Sequence, residues 1–304
     1  MPIPRCQVIP LPDHQASFQI AGVERLRWHY GDSYPRPFFY PFVGPSGQSL
    51  TRMGHPGAPD HDHHRSIWFA HHKVLGIDFW SDQSPARVRQ KQWLCYHDSA
   101  DAAGIAVLLG WYDGHDPKEL MEQEMIAWLS PHANGELLLE LQSSFRPTAA
   151  TLELGKTNFG FLAVRVAKAI SAHFGGGTIT GSDGQTGEPA LFGKPSKWVD
   201  YSGSIAANTV EGITYFDHAA NPGYPAHWHV REDGWMNAGA SLTNSIIVER
   251  SKPLVLRYLL YAHRGAIDTK RADSISRTFA ESQVLQLSKS KMKHTQYEIV
   301  RKAK

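Results

Sequence analysis

Between Asp60 and His72 the chain reads DHDHHRSIWFAHH, which gathers five histidines, two aspartates and an arginine around Trp68 and Phe69. Neutral imidazoles take and give protons near pH 7, and a neighbouring guanidinium can hold a carboxylate, an oxyanion or a sugar hydroxyl. His63, His64 and His71 are therefore candidate proton-transfer groups, with Arg65 as a stabiliser of developing negative charge. If HHRSIWFAHH is a strand, His63, Arg65, Ile67, Phe69 and His71 point one way. His64, Ser66, Trp68, Ala70 and His72 then point the other, so the five imidazoles do not share one site. A second cluster, HWHVREDGWMN, supplies His227, His229, Arg231, Glu232 and Asp233. The pairs His61/His63 and His227/His229, with nearby carboxylates, could instead build a non-haem iron, copper or zinc centre, although neither segment carries a closed ligand set such as HExxH.

Trp68, Trp80, Trp198 and Trp228 offer flat apolar faces suited to the C–H faces of a pyranose, the role that aromatic side chains take in concave sites, while Asp, Asn, His and Arg satisfy its hydroxyls. Tryptophans on strands more often pack a core. KTNFG places Lys156 and Asn158 on alternate positions, and GKPSKWVDYSG adds Lys194, Lys197, Trp198, Asp200 and Tyr201. Glu122 and Glu124 share a strand face, the kind of carboxylate pair a glycosidase uses at suitable separation. No GxSxG elbow, phosphate loop or dinucleotide fingerprint appears.

The elements that must position these groups read as strands. SFQIAGVERLRWHYG, RPFFYPFVGP, RQKQWLCYH, GIAVLLGWYDG and PLVLRYLLYAH alternate with period two and are punctuated by Gly, Pro, Asn and Asp. Asn134-Gly135 joins two apolar runs as a hairpin, and SGSIAANTVEGITYFDH reads as another. FLAVRVAKAISAHF fits a helix or a strand running into a helical turn, and GGGTITGSDGQTGEP reads as a long loop. These features predict an all-β fold: one domain over residues 1–304, built as a large antiparallel β-sandwich.

The chain has 304 residues and a formal charge of +2, so nothing in its balance calls for nucleic acid. Cys6 and Cys95 are too few for a disulfide framework. The start MPIPRCQVIPLPDH has no apolar run behind a basic head, and no stretch approaches the length of a membrane helix. The expectation is a cytoplasmic protein without a membrane partner, with export left open and a homo-oligomer allowed for.

RPFFYPFVGPSG, DHDHHRSIWFAHHKVLGIDFW, KTNFGFLAVRV, GKPSKWVDYSG, ITYFDHAANPGYPAHWHVREDGWMN and LVLRYLLYAHRG occur in this order over residues 35–265. Together they resemble the PmoA-like family, a bacterial domain of unknown function commonly labelled "methane oxygenase PmoA". That label borrows the name of an integral membrane protein, and this chain has no membrane segment. The resemblance implies saccharide catabolism, because family members occur beside sugar oxidoreductases, sugar isomerase-like proteins and other carbohydrate-degrading genes. It assigns His63, His64, Arg65, Trp68, His71 and Asp78 to a first motif, and Trp228, His229 and Arg231 to a second. Where relatives carry GLFAANPFG after that arginine, this chain has EDGWMNAGA.

The combined expectation is a carbohydrate-active enzyme on a β-sandwich, with the galactose-mutarotase-like supersandwich of aldose mutarotases and some lyases as one form of it. It would act on a small saccharide, a glycoside or an oxidised sugar by hydrolysis, elimination or epimerisation. His63, His64, His71 and His229 would move protons. Arg65, Arg231 and Lys156 would stabilise oxyanion charge, and Trp68, Asp78, Trp80, Lys194, Trp198, Asp200 and Trp228 would hold the sugar. No cofactor is required in this reading. A metal-dependent oxygenase or hydrolase, using a divalent metal on the His-x-His pairs, is the first alternative. A non-catalytic sugar-binding module is the second, and it would be indifferent to pH between 5 and 8.

Overall fold

In the computed structural model, which describes residues 3–302, two eight-stranded sheets pack face to face, and every strand pairing is antiparallel. The first sheet runs, edge to edge, through Cys6–Leu11, Gln15–Ile20, Val23–His29, Phe38–Phe42, Ile67–His71, Gly160–Arg165, Trp235–Gly239 and His227–Arg231. The second runs through Thr178–Gly181, Trp198–Ala206, Thr209–Asp217, Leu254–Arg264, Leu137–Pro147, Met121–Pro131, Ala103–Tyr112 and Arg87–Asp98. This is the expected all-β architecture, a large antiparallel β-sandwich.

Side-chain alternation builds the layers. Ile67, Phe69, Val164, Trp228, Val230 and Met236 of the first sheet turn inward, to meet Leu139, Leu141, Phe145, Tyr215, Tyr258 and Leu260 of the second. Phe69 lies 6.3 Å from Phe145 and from Tyr258, centroid to centroid. The Tyr215 hydroxyl donates across the gap to the Leu162 carbonyl at 3.1 Å, so the hydroxyl it buries has a partner.

The hairpin at Asn134-Gly135 forms as expected, with both residues in the left-handed region at φ 58° and 78°. The second forms around Asn208, φ 58°. FLAVRVAKAISAHF resolves into the strand Gly160–Arg165, a 3₁₀ turn over Lys168–Ile170 and the short helix Ala172–Gly175. The glycine-rich stretch read as a loop contains the edge strand Thr178–Gly181, followed by the short helix Glu188–Leu191.

The longest helix, Thr269–Glu281, has no counterpart in the sequence reading. Asp268 caps it by accepting the Arg271 N–H at 3.1 Å, and its sparse buried stripe, Ala272, Ser276 and Phe279, packs on the outer face of the second sheet. Cys6 and Cys95 are buried and free. No helix among the described residues is long and apolar enough to cross a membrane.

Candidate active site

The outward face of the first sheet carries a second aromatic layer. Phe38, Trp68, Ala70, Ala163 and Trp235 project from its strands, and Trp80 folds over them from the following loop. Trp80 and Trp235 lie 5.1 Å apart and Trp68 and Trp235 5.3 Å apart, steeply inclined as aromatic quadrupoles prefer. Above this floor opens a cleft of about 450 Å³. Its walls bring together His61, His63, His64, His72, Asp78, Trp80, Asn158, Phe159, Arg165, Phe192, His229, Arg231, Asp233 and Trp235.

Two motifs separated by more than 150 residues meet here because of strand order: Ile67–His71 pairs with Gly160–Arg165, which pairs with Trp235–Gly239, which pairs with His227–Arg231. On the last strand His229 and Arg231 face the cleft while Trp228 and Val230 enter the core. Its hairpin turn presents Asp233.

The expected alternation through the first motif is corrected by a turn. Only Ile67–His71 is strand, and the chain reaches it through the 3₁₀ turn Pro59–His61 and a left-handed Ser66 at φ 56°. His63 and His64, neighbours in sequence, consequently both line the cleft. Their rings lie 4.3 Å apart, and His61 is 5.6 Å from His63 and 5.1 Å from His64.

His229 is the best-defined acid/base group. Its Nδ1 lies 2.9 Å from the Asn158 carbonyl, and a carbonyl only accepts, so Nδ1 carries the hydrogen. The neutral ring is thereby left with its lone pair on Nε2. Phe159 and Phe192 each lie 5.1 Å from this imidazole. Burial lowers its pKa to about 4, offset only in part by the bond to Asn158.

His64, stacked between Trp235 and Trp68 at 4.8 and 5.7 Å, is driven further down by burial and then by the charge of Arg165, so it is neutral at any physiological pH. Its Nδ1 is buried without a partner, as are the indole nitrogens of Trp68, Trp80 and Trp235. His63 donates from Nδ1 to the Asp60 carbonyl at 3.1 Å; burial first, then the charge of Arg36, holds its pKa below the ordinary value.

The cleft wall also holds an ion pair between Asp233 of the second motif and an arginine that no motif marks. Arg165, fully buried, donates from both terminal nitrogens to Asp233, at 2.7 and 3.1 Å. His55 Nε2 lies 3.0 Å from the same carboxylate. Burial works against that carboxylate's charge, but the Arg165 hydrogen bonds win and hold its pKa below the ordinary value. Arg231 pairs with Glu188 at 3.1 Å at the cleft's outer rim and is largely exposed. Asp78 accepts the N–H groups of Trp80 and Ser81 at 2.7 and 3.1 Å, which fixes the loop that carries Trp80.

Several expected site residues lie elsewhere. Arg65 is tied to Asp82, which Arg36 also engages, and its guanidinium sits over Tyr34 at 5.1 Å. His71 faces the core, bonded to Ser241 Oγ at 2.9 Å, with burial lowering its pKa to about 3. Trp68 belongs to the aromatic floor layer but does not itself line the cleft. Trp228 is wholly buried between the sheets and donates to the Ser196 carbonyl at 2.8 Å.

Trp198 and Asp200 belong to the outer face of the second sheet: Trp198 bonds Asp273 of the long helix at 3.0 Å, and Asp200 accepts from His263 and Thr214 at 2.7 and 2.9 Å. Lys194 is exposed outside the cleft, and Lys156 lies in an adjoining groove. Glu122 is paired with Lys91 on the second sheet. The two His-x-His pairs do not converge as pairs, since His61, His63 and His229 line the cleft and His227 does not. Among the described residues no three His, Cys, Asp or Glu side chains form a metal-holding group.

The profile of a family of unknown function (DUF6807) matches residues 15–277. The chain belongs to that family. This corrects the resemblance drawn from the motifs over residues 35–265: they lie inside the matched region, and the family found there is DUF6807 rather than a PmoA-like one. No curated protein matches the sequence. Among solved structures, a candidate mutarotase (YeaD) from Salmonella typhimurium is similar at 12% identity and a TM-score of 0.38, over 87% of this chain and 95% of its own. A candidate kojibiose phosphorylase from the human microbiome is similar at 6% identity and a TM-score of 0.34; the match covers 92% of this chain and 36% of the phosphorylase.

Proposed function

We propose that this chain is a carbohydrate-active enzyme whose cleft holds a small saccharide, a glycoside or an oxidised sugar and moves a proton on it through His229. The observation that carries this reading is a single juxtaposition. An imidazole fixed in one tautomer by Asn158 sits beside the aromatic surfaces of Trp80, Phe159 and Trp235, with the Arg165–Asp233 pair in the same wall. Aromatic faces hold the apolar side of a sugar ring, the ion pair and Asp78 meet its hydroxyls, and a neutral imidazole is ready to take a proton. His63 is the second proton carrier. Arg231, at the rim, meets negative charge that develops on the ligand.

Hydrolysis, elimination and epimerisation share this equipment. A panel of glycosides, uronates and ketosugars, incubated with the protein in D₂O and followed by proton NMR, separates them. Release of an aglycone marks hydrolysis, a new vinylic proton marks elimination, and deuterium at a sugar carbon marks epimerisation. Turnover by the wild type that His229→Gln abolishes is the expected result. Undiminished turnover by a folded His229→Gln protein would remove His229 from the chemistry.

A further inference from the structure

The cleft does not end at Phe159 and Phe192. Those two rings, with His72 and Asn158, also form one side of a second groove, of about 570 Å³, whose other wall carries Lys73 and Lys156. Both lysines are exposed, and among the described residues the only lysine ion pairs are those of Lys91. No carboxylate lines this groove. A third depression, sharing Arg231 and Asp233 with the cleft, is lined by Glu188, Glu232 and Asp233. Two of these carboxylates, Glu188 and Asp233, are balanced by Arg231 and Arg165, whereas the groove beyond Phe159 and Phe192 carries cations alone.

The lysines stand on backbone held by direct hydrogen bonds. Gly155 N–H donates to the Lys73 carbonyl at 2.7 Å, and His72 N–H donates to the Phe159 carbonyl at 3.0 Å. Lys156 N–H donates to Ser245 Oγ at 3.0 Å. A Cβ at residue 155 would come within 3.0 Å of the Lys73 Cβ, so glycine lets the two lysine-bearing segments lie this close. Two ammonium groups without acidic partners, on neighbouring tethered segments in a groove without a carboxylate, are equipped to bind an oxyanion.

We infer that the Lys73–Lys156 groove is an oxyanion subsite of the cleft, and that the saccharide held there is acidic, carrying a carboxylate, sulfate or phosphate on the part that extends past Phe159 and Phe192. This rests on the saccharide reading of the cleft. Lys156 becomes a specificity-determining residue rather than a participant in the chemistry.

Two measurements on the full chain test it. In the first, acetate, inorganic sulfate and inorganic phosphate are titrated separately against the wild type and Lys73→Gln/Lys156→Gln while backbone amide resonances are followed. Shifts at residues 72–73 and 155–156 are expected in the wild type and not in the double variant, and the ranking of the three anions tells carboxylate from sulfate and phosphate ester. In the second, calorimetry compares acidic and neutral saccharide pairs, cellobionate with cellobiose and lactobionate with lactose among them. At low salt the acidic member should bind roughly tenfold tighter to the wild type, a ratio that falls to about one in the double variant with neutral affinities unchanged.

Absence of anion shifts, shifts that survive in the double variant, or equal affinity within each pair would overturn the subsite alone. Anion shifts in a protein that binds no saccharide of either kind would overturn the saccharide reading of the cleft, and the acidic-saccharide subsite with it.

Discussion

Both large sheets carry histidine, arginine, carboxylate and tryptophan on their outward faces, and the two faces have different fates. On the second sheet the helix Thr269–Glu281 lies over Trp198, Phe216, Leu259 and Tyr261, and the carboxylates beneath or beside it are tied to cations: Glu140 to Arg257 and Arg301, Glu136 to Arg271, Asp200 to His263. On the first sheet no such helix lies over Trp80 and Trp235, which are themselves almost fully buried, and Asp233 and the imidazoles of His63 and His229 line a cleft. The second face keeps a cavity of about 380 Å³ beside the helix, lined by Glu140, Arg271, Arg301, Leu259 and Phe279, but the carboxylate there is held by two arginines, whereas the cleft of the first face is lined by imidazoles that no carboxylate engages at His63, His64 and His229. The helix that lies over Trp198, Phe216, Leu259 and Tyr261 comes some 200 residues after the first histidine motif.

Substitutions on the two faces should therefore separate activity from stability. His229→Gln is expected to lower turnover by about 10²- to 10⁴-fold, the usual worth of a general acid or base, while denaturant midpoints stay near wild type. On the covered face, Arg257→Met leaves the buried Glu140 with only the half-exposed Arg301 and should cost about 3–5 kcal/mol in urea unfolding, without changing ligand affinity in whatever fraction is folded.

The histidines supply a second contrast, in the sign of their pH dependence. His229 and His71 of the first sheet are buried neutral, with pKa values of about 4 and about 3, below the value in an unfolded chain. Their contribution is complete above about pH 6.5 and is lost as pH falls, at roughly 1.4 kcal/mol per pH unit for each ring. His263 is the opposite case: burial lowers its pKa, but Asp200 more than compensates, so the folded value is raised. Its contribution is present at low pH and is lost as pH rises through that raised value. In unfolding curves taken as pH falls from 8 to 4, His229→Gln should therefore gain stability relative to wild type, because it escapes the cost of a ring held neutral, while His263→Asn should lose stability relative to wild type over the same fall. Changes of the same sign would show that one of the two environments is misassigned. The smallest effect is expected from Trp198→Phe, which removes the bond to Asp273 and should cost about 1 kcal/mol with sugar affinity untouched.

The sequence was most legible where alternation is strict. The β-sandwich and both hairpins follow from period-two runs and turn residues, and HWHVR already contains the split in which His229 and Arg231 face out while Trp228 faces in; the meeting of the two histidine-rich motifs rests on strand order, which alternation does not carry. Trp228 has the flat apolar face of a sugar contact, but its parity on this strand turns it into the core between the sheets. Arg165 escaped notice because a lone arginine inside FLAVRVAK looks like a solvated position, and only the register between Gly160–Arg165 and Trp235–Gly239 brings it to Asp233. Trp198 and Asp200 were credited to a pocket because nothing local marks the helix that covers that face: its buried stripe, Ala272, Ser276 and Phe279, contains one large apolar side chain. Long-range cover is a tertiary fact with weak local signal.

The most direct test is a glycan-binding screen of three folded proteins in parallel: wild type, Trp80→Leu from the open face and Trp198→Phe from the covered one. The account predicts binding by the wild type that Trp80→Leu loses and Trp198→Phe retains. Binding that survives Trp80→Leu and disappears with Trp198→Phe would place the ligand on the wrong sheet, and a wild type that binds no glycan of the screen would contradict the account outright.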